Sequence, residues 1–152
     1  MTKHITMRSA ASAIVLISAT AASAEVTAAE VWADWQSSLA IYGEGNLTIG
    51  AETMTGDTLT VSGISFVFED ELNKITGEMG DVTFTELGDG TVSVGVAAKN
   101  PITIADQDGN TLKMSLNQSG LEVIVSGTPA QMNYDVSADQ YALIIDEITD
   151  GG

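Results

Sequence analysis

Side chains able to do chemistry are scarce in this chain and almost all of one kind. Its single histidine, His4, and its single arginine, Arg8, both fall within the first 24 residues, and cysteine is absent. From Glu25 onward there is therefore no Ser-His or Cys-His nucleophile system, no usual zinc ligand set and no arginine clamp for phosphate. A serine–lysine pair would need Lys74, Lys99 or Lys113, and none stands in an S-x-x-K context. Neither G-x-G-x-x-G nor a phosphate-binding loop occurs. Carboxylates are what remains.

The densest group, Glu69-Asp70-Glu71, sits at a hairpin signal, where neighbouring side chains point different ways, so a solvated tip outweighs an acid/base pair. Asp106-x-Asp108-Gly109-Asn110 resembles a calcium loop only in part. Its glycine comes fourth rather than sixth and no glutamate follows at the twelfth position, which favours a hairpin. A carboxylate glycosidase would need two inward-facing acids, whereas nearly every acid here falls at a turn or on the polar side of a strand pattern. The expectation is a protein that is not an enzyme and uses no metal or cofactor.

The elements that must position any binding surface begin after a leader. Lys3 and Arg8 form a basic start, Ala10 to Ala21 an apolar run too short to span a bilayer, and Ala22-Ser23-Ala24 an A-x-A cleavage site. Residues 1–24 thus read as a secretory signal peptide and residues 25–152 as a single domain, periplasmic or secreted, with no later membrane segment. The formal net charge of −16 grows more negative once Lys3 and Arg8 leave with the leader. Nucleic acid and anionic lipid surfaces would be repelled, so neither is expected as a partner.

Thr27 and Glu30 have the T-x-x-E spacing of a capping box, which starts a helix near Ala28. At 100° per residue Ala28, Val31, Trp32, Trp35, Leu39 and Tyr42 share one stripe, with Ile41 as the misfit, and Gly43 is placed to close the last turn. From Asn46 the apolar period changes to two, which predicts antiparallel strands with one wet face.

Strong hairpin signals stand at residues 71–73, 88–90, 108–110 and 127–129. Between them lie breaks at Gly63, Gly80, Lys99 to Pro101, Gly120 and Ser137 to Gln140. Apolar parity slips at most of these, as an inserted bulge residue would make it do. Nearly even spacing puts the breaks side by side across the sheet, in one crease. The predicted fold class is α+β, mainly β: one N-terminal amphipathic helix packed on a curved antiparallel β meander of long bulged strands. A first strand is expected over Asn46 to Thr53, and about ten short strands are the alternative to six long ones.

The pattern V-T-A-x-x-V-W-x-D-W at Val26 to Trp35, ending in Tyr42-Gly43, joins Gln118-Ser119-Gly120-Leu121-Glu122 and Y-D-x-x-A-D at Tyr134 to Asp139. Together they resemble an uncharacterised bacterial exported family, the domain of unknown function 2125. Members are several times longer, so the likeness implies a leading portion of such a protein. It also implies export and a β-rich build, and it brings no catalytic residues.

One helix is too narrow to cover a six-stranded sheet, so part of the concave apolar face should stay open. The expected function is a binding module that holds an apolar or amphipathic small molecule, or a partner segment, there. The candidate face or edge residues are Trp32, Trp35, Met79, Met114, Met132, Tyr141 and Leu143. The alternative is a structural or assembly protein of the cell envelope, pairing through an open edge at Tyr141 to Ile148, which carries no proline or lysine.

Overall fold

The structure, a computed structural model, describes residues 24–43 and 45–152. Apart from Ala24, the expected signal peptide lies outside the described residues, and so does the side chain of Tyr42.

The helix α1 spans Ala28–Leu39 and begins where its capping box places it. The Glu30 backbone N–H donates to the Thr27 hydroxyl at 3.3 Å, and the Thr27 N–H donates to the Glu30 carboxylate at 2.9 Å. Two of the donors that a first turn leaves unpaired are thus satisfied. The α-helical part stops earlier than Tyr42. A 3₁₀ turn, Ala40–Tyr42, follows, and Gly43 closes it with φ 102° and ψ 142°, which is not the left-handed helical conformation expected of it. Ile41, the misfit of the stripe, is exposed.

Among the described residues twelve strands follow: β1 (Leu47–Thr48), β2 (Ala51–Thr55), β3 (Thr58–Ser62), β4 (Ile64–Glu69), β5 (Asn73–Met79), β6 (Val82–Glu86), β7 (Val92–Gly95), β8 (Lys99–Asp106), β9 (Thr111–Ser119), β10 (Glu122–Thr128), β11 (Gln131–Ser137) and β12 (Gln140–Thr149). They form two six-stranded antiparallel sheets, in the orders β1-β4-β5-β8-β9-β12 and β11-β10-β7-β6-β3-β2. Every hairpin stays within one sheet, and every link between hairpins crosses to the other.

This corrects the expectation of long bulged strands. At Gly63 and Gly120, φ values of 66° and 61° turn the chain out of one sheet and into the next, a conformation open to glycine at little cost. The strand expected over Asn46 to Thr53 is also divided between the two sheets, into β1 and β2. Adjacent breaks are hydrogen-bonded: Gly50 N–H to Ser62 O at 3.0 Å, Gln118 N–H to Ala98 O at 2.9 Å, and Asp139 N–H to Ser119 O at 3.0 Å. One bulge does occur, within β12, where the register with β9 shifts between Ile145 and Glu147. The turn at Gly56-Asp57 joining β2 to β3 is not among the hairpins expected from the sequence.

The core lies between α1 and the β2/β3/β6/β7/β10/β11 sheet, called here the covered sheet. Val61, Val82, Phe84, Val92 and Val125 are fully buried there, as are Ala28 and Val31 of the helix. Trp32 and Trp35 pack on Phe84 with ring centroids 5.6 and 5.3 Å apart, the second edge-on. Such aromatic contacts add to the burial of large apolar area.

Candidate binding face

Pairing registers across the other sheet, called here the open sheet, show which side chains share a face, because directly opposed residues point the same way. One row runs Leu47, Phe66, Gly77, Ile102, Met114, Ile145, and the next runs Phe68, Ile75, Ile104, Leu112, Ile148. This face is apolar across its width. The opposite face carries rows such as Val67, Thr76, Thr103, Lys113 and Glu147. Alternation that looked uniform in sequence therefore sorts into one apolar and one polar surface.

The apolar face continues the covered core. Ile64 and Met79 face each other across β4 and β5; Ile64 is buried in the core and Met79 packs against it. Beyond them α1 has ended. Leu39 of the helix, with Leu47, Phe66, Phe68 and Met79, lines a cavity of about 230 Å³ where the covered region gives way to the open one. The Phe66 ring lies over Gly77, where an added Cβ would fall 2.0 Å from a ring carbon, so this glycine gives the ring its seat.

Among the described residues α1 is the only α-helix, and it packs on β3 and β6 of the covered sheet. No second helix among them lies over the open one. Phe66, Phe68, Ile75, Ile102, Ile104, Leu112 and Met114 are half-buried by one another. Toward the β12 edge exposure rises to 57% for Tyr141, 63% for Leu143, 60% for Ile145 and 69% for Ile148. Contiguous apolar exposure of this kind marks binding surfaces more often than chance.

The seven candidate residues divide between the two regions. Trp32 is 3% exposed and its indole N–H donates to the Glu52 carboxylate at 2.8 Å, so it belongs to the helix–sheet core. Trp35 and Met132 also pack against that core. Met79 stands at the boundary cavity, while Met114, Tyr141 and Leu143 lie on the apolar face of the open sheet, the last two on its edge strand. The structure therefore does not bring the seven into one site.

Three carboxylates that the sequence does not single out tether α1. Glu86 accepts the Ala28 N–H at 2.9 Å at the helix N-terminus, where negative charge is favoured by the helix dipole. Glu52 holds Trp32 and also accepts from the Gln36 amide at 3.4 Å. Asp34 accepts from the Tyr134 hydroxyl, whose pKa is pushed well above the phenol range by burial and then by this bond and charge. Nothing local in the sequence signals these pairs, because the partners are far apart along the chain.

At the turns of the open sheet, Asp70 lies below the usual carboxylate range because the Leu72 and Asn73 N–H groups donate to it. Asp106 is lowered first by the Asn110 side-chain amide and further by surrounding backbone N–H groups. Both act as turn-builders. The three lysines among the described residues are all ion-paired: Lys74 to Glu69 at 3.3 Å, Lys99 to Asp146 at 3.1 Å and Lys113 to Glu147 at 2.9 Å. Among the described residues no three His, Cys, Asp or Glu side chains are grouped to hold a metal ion, and no helix is long and apolar enough to cross a membrane.

No family model matches the chain, and no curated protein or solved structure matches it either.

Proposed function

We propose that this is an exported, non-enzymatic binding module, and that the apolar face of the open sheet holds an apolar or amphipathic molecule or a partner segment. The observation that carries the reading is the contrast between two inner faces of one chain. The middle of the covered sheet's inner face lies under α1, and the apolar inner face of the open sheet lies under no helix among the described residues. In this reading the sheets are two halves of one curved meander, folded along the line of breaks from Gly50 to Asp139. Kinship with the exported family of unknown function 2125 belongs to the same proposal and rests on Val26 to Trp35 and the two later motifs.

Titration with a nonionic single-chain amphiphile below its micelle concentration tests this. The expected result is methyl NMR shifts at Ile102, Ile104, Leu112 and Met114, with Val61 and Val82 unmoved. No shift on the open face would contradict it.

A second reading, assembly in the cell envelope through a sheet edge, is favoured by β12. This ten-residue strand pairs only with β9, and its two acids, Asp146 and Glu147, are engaged by lysines of β8 and β9. Little on the strand then discourages pairing with another chain. Slow amide exchange along Tyr141 to Ile148 that appears only with an added partner would support it, and fast exchange throughout would oppose it.

A further inference from the structure

Granting that the open face binds, its charge surroundings narrow what it binds. The two rows of apolar side chains contain no charged group, but the end of the sheet where they stop is ringed by acids. The β4–β5 turn carries Asp70 and Glu71, Asp106 ends β8, Asp108 stands in the β8–β9 turn, and Asp150 lies beside them because the Gly151 N–H donates to Asn110 at 2.9 Å. A cleft of about 280 Å³ between the two turns is lined by Asp70, Asp106 and Lys74, among others. The lysines at this end, Lys74 and Lys113, are already taken by Glu69 and Glu147. The excess is therefore negative and solvent-facing.

The chain also shows how such a face is filled. On the covered sheet an amphipathic helix of 12 residues runs from the β6–β7 turn, where Glu86 receives its N-terminus and Val26 N–H bonds Gly90 O, toward the breaks, where Leu39 and Met79 line one cavity. Strands β5, β8 and β9 of the open sheet have seven to nine residues, roughly 23 to 30 Å of length, and the sheet is about 24 Å wide. A single acyl chain would leave most of that area wet, whereas a helix of about 16 residues matches its length.

We propose that the occupant of the open face is an amphipathic helix of a partner protein, lying along the strands with its basic end over the acidic turns. A like-charged second copy of this chain is disfavoured by the same carboxylates.

The test uses the full chain and two designed peptides of roughly 16 residues: a leucine–lysine amphipathic helix with its lysines toward one end, and a twin in which glutamate replaces lysine. The expected result is binding of the lysine peptide at least about tenfold tighter than the twin at low salt, narrowing as salt is added. Glu71→Gln, Asp108→Asn and Asp150→Asn together should weaken it about five- to tenfold. These three side chains make none of the turn hydrogen bonds of Asp70 and Asp106, and circular dichroism checks the fold.

Equal binding of both peptides, or no effect of the triple change, would overturn the charge argument. Binding of a nonionic amphiphile with neither peptide would overturn the helix while leaving the open face a binding site. Unchanged binding of peptide and amphiphile to folded Met114→Glu would overturn both.

Discussion

The two sheets are built from one chain that crosses between them at every break, yet the same alternation of apolar residues has a different fate in each. On the covered sheet Val61, Val82, Phe84, Val92 and Val94 are buried in the core that α1 joins. On the open sheet Ile102, Ile104, Leu112 and Met114 are shielded only by neighbours, and Leu143, Ile145 and Ile148 are in solvent. Burial is what converts an apolar side chain into stability. The covered half therefore contributes more to holding the fold together, and the open half leaves apolar area exposed.

The largest expected consequence is an asymmetry in truncation. Phe84→Ala removes the ring on which both tryptophans rest and should cost about 3 to 5 kcal/mol, while Ile104→Ala should cost under about 1.5 kcal/mol. Urea denaturation of the two variants measures the difference, and equal losses would erase the distinction between the regions.

Next in size is Glu52→Ala. It leaves the Trp32 indole N–H without its acceptor at a largely buried position, for which about 1 to 2 kcal/mol is expected in the same assay. Thr27→Ala dismantles the capping box and should cost about 1 kcal/mol, read as a lower midpoint and a loss of helical ellipticity.

The smallest effect belongs to the exposed turns of the open sheet. Folding lowers the pKa values of Asp70 and Asp106. The stability they add is therefore complete above the unfolded carboxylate range near about pH 4 and is lost as pH falls through the folded values. Thermal midpoints measured below pH 5 should decline, and Asp70→Asn should make that decline shallower.

Much of the covered half was legible because its signals are local. Thr27 and Glu30 fix the helix start, and the Trp32–Trp35 spacing marks its buried stripe. Other features depend on residues distant in sequence. Glu52, Glu86 and Asp34 look like ordinary solvated acids until the fold brings their partners to them. Gly77 looks like a weak point in a strand until Phe66 is seen across it. The division into two sheets was hidden for a similar reason: a parity slip marks a bulge and a sheet switch alike, and only the pairing of the strands on either side tells the two apart. The open face could be anticipated only as a shortfall of helix width against sheet width. Its boundary at Leu39, Leu47 and Met79 comes from the helix ending a turn early.

The central claim is that the apolar face of the open sheet is accessible in solution while the middle of the covered sheet, β3, β6, β7 and β10, is closed. Methyl NMR with a soluble gadolinium chelate tests this most directly, since the chelate broadens only the methyl groups it can approach. Strong broadening is expected at Leu116, Leu143, Ile145 and Ile148, intermediate broadening at Ile104 and Met114, and none at Val61, Val82, Val94 or Val125. Equal protection of both sets in a dilute sample of the chain alone would contradict it.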